Sequence, residues 1–165
     1  MSSTAASMPF SYGWDDPRPS GRVWNYLFSH RRPPETDMIS GTELTSEEQD
    51  WRLEFVVRRL IDLAELPPNW NTYGAPPISE YALSSAMQFA GNFLIKHCVP
   101  LPDIIPTSDG RVQFEWHRNA IDLEIEFGAG SEIDLVFEDL NSGQECERTL
   151  TTDLSSVRPI LDRLC

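Results

Sequence analysis

The chain has 165 residues and a mass of 18.8 kDa, enough for one compact domain and an accessory segment. It is 40% apolar and 10% aromatic, which supplies a core and argues against disorder throughout. A formal charge of −13 and a pI near 4.5 argue against direct nucleic-acid or anionic-membrane binding, both of which need basic surface.

No stretch approaches the ~20 apolar residues of a membrane span. The opening MSSTAASMPFSYGWDDP lacks the basic and apolar regions of a secretion signal. Three scattered cysteines, Cys98, Cys146 and Cys165, do not make a disulfide framework. A reduced, cytoplasmic setting is the expectation.

Residues 1–42 read as an N-terminal arm and residues 43–165 as a single acidic α+β domain. The arm balances four arginines (Arg18, Arg22, Arg31, Arg32) against four acids (Asp15, Asp16, Glu35, Asp37). The remainder holds nine basic and 22 acidic side chains, so the whole imbalance belongs to it. The arm is rich in Pro, Ser and Gly yet carries Phe10, Tyr12, Trp14, Trp24, Tyr26 and Phe28. Such a segment either packs on the domain as irregular structure or docks on another chain, with Trp14 and Trp24 as candidate contacts.

A helix is predicted from Thr45 or Ser46. Each residue fits a capping box, with Glu48 and Gln49 respectively, and acids crowd the first turn. Leu53, Val56, Val57, Leu60 and Ala64 form its apolar stripe, and Pro67 and Pro68 stop it. The connector PPNWNTYGAPPIS is too rich in Pro and Gly for regular structure, with Trp70 and Tyr73 expected to plug it onto the domain. Ser79 is expected to cap a second helix reaching about His97, in which Ala86 and Ala90 permit close approach.

From residue 111 the period changes from 3.6 to 2. Val112, Phe114 and Trp116 alternate with polar residues, as do Ile121, Leu123, Ile125 and Phe127, then Ile133, Leu135 and Phe137. These are strands of an antiparallel meander with one buried face. Asn141-Ser142-Gly143 turns into a weaker strand over residues 144–150, and a short helix with Pro159 in its first turn closes the chain. The fold class is therefore α+β: two N-terminal helices on a meander of three to four strands, with a short C-terminal helix.

Register follows from matching apolar faces. A loop at Arg118 and Asn119 places His117 opposite Ala120, Glu115 opposite Asp122 and Gln113 opposite Glu124. A Gly128-Ala129-Gly130 loop then pairs Glu126 with Glu132 and Glu124 with Asp134. The polar face that results carries Glu115, Asp122, Glu124, Glu126, Glu132, Asp134 and Glu138, with Arg111 its clear neutraliser. Like charges facing each other across strands are unfavourable, where opposite charges contribute roughly 0.2–1 kcal/mol per pair. A face that breaks this rule is either an ordinary solvated surface or the seat of a cationic partner.

The candidate catalytic groups are weak. His97 and Cys98 are neighbours on a helix and point apart. His117 with Glu115 and Asp122 is the best local acid–base set, and a metal-dependent hydrolase or nuclease built on it is one alternative. So negative a face repels phosphate unless a metal inverts its sign, and flat alternation does not fold the acids into a metal loop. No phosphate-binding glycine loop, C-x-x-C or H-E-x-x-H occurs. No catalytic residue, metal ligand or cofactor is assigned.

The strings LPPNWNTYGAPPIS (residues 66–79) and PTSDGRVQFEWHRNAIDLEIEF (residues 106–127) resemble a family of small bacterial proteins with no assigned activity. In it an N-W-D-x-Y-G-A-x-P stretch precedes a D-G-x-x-Q-x-E-W-H hairpin. The resemblance implies a bacterial source and an α+β domain. Asn71 stands where that pattern more often has Asp, so no catalytic acid is expected there.

The sequence reading is a non-catalytic acidic binding protein. It would dock or neutralise a basic protein, such as an enzyme acting on nucleic acid, in the manner of antitoxins, immunity proteins and inhibitors. Partner contacts are expected from the seven carboxylates above, with Trp14 and Trp24 of the arm. A structural subunit that assembles through the arm is a further alternative.

Overall fold

The computed structural model describes residues 44–95, 97–151, 154 and 156–165. The arm, with Trp14 and Trp24, lies outside the described residues.

Helix α1 spans Ser46–Ala64 and is opened by Thr45. The Glu48 amide donates to Thr45 Oγ1 at 3.2 Å, and the Thr45 amide donates back to Glu48 Oε2 at 2.8 Å. This reciprocal box satisfies backbone donors that the first turn leaves unpaired. The inward face is Arg52, Val56, Leu60 and Leu63. Leu53 and Ala64, expected in the buried stripe, point outward instead. The cause is two arginines. Arg52 Nη1 donates to the carbonyls of Leu94 (3.0 Å) and Val99 (2.6 Å), and Arg59 Nε donates to that of Ile104 (2.9 Å). A guanidinium that finds carbonyl acceptors can lie on a buried helix face, its stem packing as hydrocarbon.

The connector is braced by its own amides. Asn71 Oδ1 accepts from the amides of Tyr73 (2.9 Å) and Ala75 (3.1 Å), and Asn69 Oδ1 from Gly74 (2.6 Å). Trp70 is half-buried, but Tyr73 is 75% exposed and plugs nothing. The Ser79 amide donates to the Gly110 carbonyl at 2.9 Å, joining the connector to the turn at residues 107–111. Gly110 sits at φ +86°, where an added Cβ would stand 2.9 Å from the Pro77 carbonyl oxygen. The approach needs glycine on both counts.

Helix α2 covers Glu80–Phe93. Ser79 precedes it without a side-chain capping bond, and the helix stops short of His97. The carbonyls of Leu94 and Val99 turn to Arg52 rather than continue a helical ladder. Ala82, Ala86, Phe89 and Ala90 face inward.

The sheet has five strands, not three or four. They are β1 (Asp103–Pro106), β2 (Val112–Arg118), β3 (Ile121–Phe127), β4 (Ile133–Asp139) and β5 (Gln144–Leu150), antiparallel in chain order. Strand β1 was not anticipated. Its four residues, Asp-Ile-Ile-Pro, do not alternate, and proline is tolerated because β1 is an edge. Helix α3 (Arg158–Leu161) with Pro159 in its first turn, and a 3-10 turn at Asp162–Leu164, complete the fold.

Both central registers differ from expectation by two residues. Glu115 faces Glu124 and His117 faces Asp122, while Glu126 faces Asp134 and Glu124 faces Val136. The β2–β3 turn is Asn119-Ala120, both left-handed (φ 55° and 56°), the backbone of a two-residue hairpin whose twist matches its strands. Alanine is held there by neighbours: the Leu140 amide donates to the Ala120 carbonyl at 2.8 Å, and Asn119 Nδ2 to the Leu164 carbonyl at 3.0 Å. A shift of two leaves every side chain within the strands on its expected face.

The helices cover one face of the sheet. Phe89 of α2 packs on Phe114 and Phe127, with ring centroids 6.0 and 5.4 Å away, and Trp116 Nε1 donates to the Pro100 carbonyl at 2.8 Å.

Candidate functional site: the outward face of the sheet

Strand alternation sends Val112, Phe114, Trp116, Leu123, Ile125, Leu135 and Phe137 into the core, so their neighbours project from the opposite face. The pairings order these outward residues into three rows across the strands. One row runs Asp103, Glu115, Glu124, Val136, Glu147. A second is Ile105, Gln113, Glu126, Asp134, Thr149, and the third His117, Asp122, Glu138, Glu145.

Six of the seven predicted acids, Glu115, Asp122, Glu124, Glu126, Asp134 and Glu138, therefore share one surface. Glu132 does not. It lies in the β3–β4 loop, where its carbonyl accepts from the Gly128 amide at 3.4 Å, and it does not face Glu126. The hairpin loop is longer than the expected three residues, and the extra length removes Glu132 from the ladder. Asp103, Glu145 and Glu147 were missed. The acids of β5 were legible in its alternation, but Asp103 needed strand β1.

Among the described residues the carboxylates are unevenly neutralised. At one end of the face Arg111 binds Asp109 (2.8 Å), Glu126 (2.7 Å) and Asp134 (3.4 Å), and Thr149 Oγ1 donates to Asp134 at 2.7 Å. In the centre, Glu115 and Glu124 face each other directly. The single amide of Gln113 donates to both, at 2.9 and 3.1 Å. Partial burial, then the Glu124 charge, pushes the Glu115 carboxyl above the usual range. Burial likewise pushes Glu126 up, against the pull of Arg111. Asp139 is different. It points to the core side, is ion-paired with Arg163, and takes no part in the face.

His117 marks the third row. Its Nδ1 lies 2.9 Å from Asp122 Oδ1 and its Nε2 3.7 Å from Glu115 Oε2. The Asp122 hydrogen bond raises the imidazole pKa above 6.5, with burial opposing. Both ring nitrogens lie near carboxylates, an arrangement that favours the imidazolium. Among the described residues, no group of three or more His, Cys, Asp and Glu side chains is placed to hold a metal ion.

At the middle of the face Val136 is 45% exposed, between Glu124 and Glu147. An apolar spot among acids suits the hydrocarbon stem of Lys or Arg, whose charged end then reaches a carboxylate.

A second surface feature lies in the helical layer, away from the acids. Val57, Leu60, Ile61 and Ala64 of α1, with Glu80, Leu83, Ser84 and Met87 of α2, line an apolar groove of about 470 Å³. No helix among the described residues is long and apolar enough to cross a membrane.

Comparison of the chain with protein-family models, with curated proteins and with solved structures finds no match.

Proposed function

We propose that the chain is a non-catalytic acidic binding protein that docks a basic protein through the outward face of its sheet. The observation that carries this reading is the directly opposed pair Glu115–Glu124, bridged by one glutamine amide and flanked by His117, within a surface of nine carboxylates that five strands of the described residues present. The isolated fold would gain from opposite charges at these positions, and a cationic surface laid against them supplies those charges. Complementary potential also steers encounter and selects the mate more than it adds affinity.

The mode of action is occlusion: carboxylates pair with Arg and Lys of the partner, in the manner of antitoxins, immunity proteins and other inhibitors of nucleic-acid enzymes. Trp14 and Trp24 of the arm are assigned a second contact, and the setting is cytoplasmic.

The test uses the full chain and its Glu124→Lys/Asp134→Lys variant as bait in extract of the native host at low and moderate salt. The wild type should retain a basic protein that moderate salt releases. The variant should retain none while melting at the same temperature or higher. Retention by the variant, or a complex indifferent to salt, overturns the reading.

A further inference from the structure

Far apart in sequence, Cys98 and Cys165 meet in the fold. Cys98 belongs to the connector between α2 and β1, and Cys165 follows the 3-10 turn that packs at the end of the sheet. Cys165 Sγ donates to the Cys98 carbonyl at 2.8 Å. Backbone bond lengths then put this sulfur no more than about 5.5 Å from the Cys98 Cα, so the two residues are immediate neighbours. Both residues stand as thiols, Cys165 exposed and Cys98 half-buried.

The Arg52 guanidinium is near both sulfurs. Burial pulls it down, while negative charge on Cys98, Glu48 and Cys165 holds it up. The segments on each side are already positioned. Arg52 binds the Leu94 and Val99 carbonyls, Trp116 the Pro100 carbonyl, and Asn119 the Leu164 carbonyl. A bond between the sulfurs would therefore join two anchored segments.

We propose that Cys98 and Cys165 are a thiol–disulfide exchange site that a small disulfide such as oxidised glutathione converts to an intramolecular cross-link. The exposed Cys165 thiolate attacks one glutathione sulfur, breaking the glutathione disulfide and expelling one glutathione thiolate. The Cys98 thiolate then attacks the Cys165 sulfur of the mixed disulfide and expels the second. Two electrons pass from the protein to the oxidant, and the two protons lost by the cysteines end on the two glutathiones. Burial, with Cys98 and Asp162 nearby, pushes the Cys165 thiol up against the pull of Arg158 and Arg118, so the first step speeds up as pH rises.

The test incubates the full chain with oxidised glutathione and follows intact mass, a non-reducing peptide map and the melting midpoint. Expected are the loss of two hydrogen atoms, one Cys98–Cys165 cross-linked peptide, and a midpoint raised by roughly 10 °C, since the bond closes a long loop. Reductant should reverse all three. Cys146→Ser should behave as wild type, whereas Cys98→Ser should stop at glutathione attached to Cys165. Separate glutathione adducts without a cross-link in the wild type, a cross-link through Cys146, or an unchanged midpoint overturns the proposal.

Discussion

Arg52 is a consequential side chain on the helical side, because it is buried and donates to two backbone carbonyls. Replacing it with Ala leaves both acceptors buried and opens a void, at an expected cost of about 2–4 kcal/mol in a denaturant titration. Arg52→Met, which restores volume but no donor, should keep more than half of that loss. A fully rescued Met variant would assign Arg52 to packing alone. On the sheet, Asp139 takes hydrogen bonds from Ser142, Asn141 and Arg163 that lower its pKa to about 2 from an ordinary 3.8. A depressed carboxyl stabilises the fold fully above its unfolded value, and that contribution is lost as pH falls from about 4 through about 2. Stability measured across this window should decline less steeply in Asp139→Asn than in the wild type. Equal slopes would remove Asp139 from the acid response.

At the scale of the strands, the acidic face carries a stability cost that one substitution can expose. Glu115 has its pKa raised in the fold, so its ionised form is disfavoured there, and stability falls as pH climbs from 4.5 through the raised value. Glu115→Gln keeps the acceptor for Gln113 and deletes the charge opposite Glu124. It should raise stability at neutral pH by about 0.5 kcal/mol, with the gain vanishing below pH 4.5 where the wild-type carboxyl is itself protonated. A variant no more stable than wild type at neutral pH would mean that water and Gln113 neutralise the pair. Alternation alone was enough to collect Glu115, Asp122, Glu124, Glu126, Asp134 and Glu138, because facing depends only on parity. Register was not legible to the same degree. Matching apolar faces cannot distinguish shifts of two residues, and the turn that decides between them puts Ala120 in a left-handed conformation that its type disfavours. Strand β1 was invisible because Asp-Ile-Ile-Pro is too short to show a period.

Across the described domain, the sheet has helices on one face and carboxylates on the other. The α+β class, the capping box at Thr45 and the place of Pro159 were readable, since each is local chemistry. The burial of Arg52 and Arg59 was not, because their carbonyl partners lie more than forty residues away in sequence. That error rotated α1 in the sequence reading and hid the fact that Val57 and Ile61 border an outer groove. The groove and the proposed acidic docking face lie on opposite layers of the described domain. Amide chemical-shift mapping of the full chain bound to its captured partner separates them directly. Changes concentrated at Gln113–His117, Asp122–Glu126 and Asp134–Glu138, and erased by added salt, are the expected result; changes confined to Val57, Ile61, Leu83 and Met87, with the sheet silent, would contradict an acidic docking face.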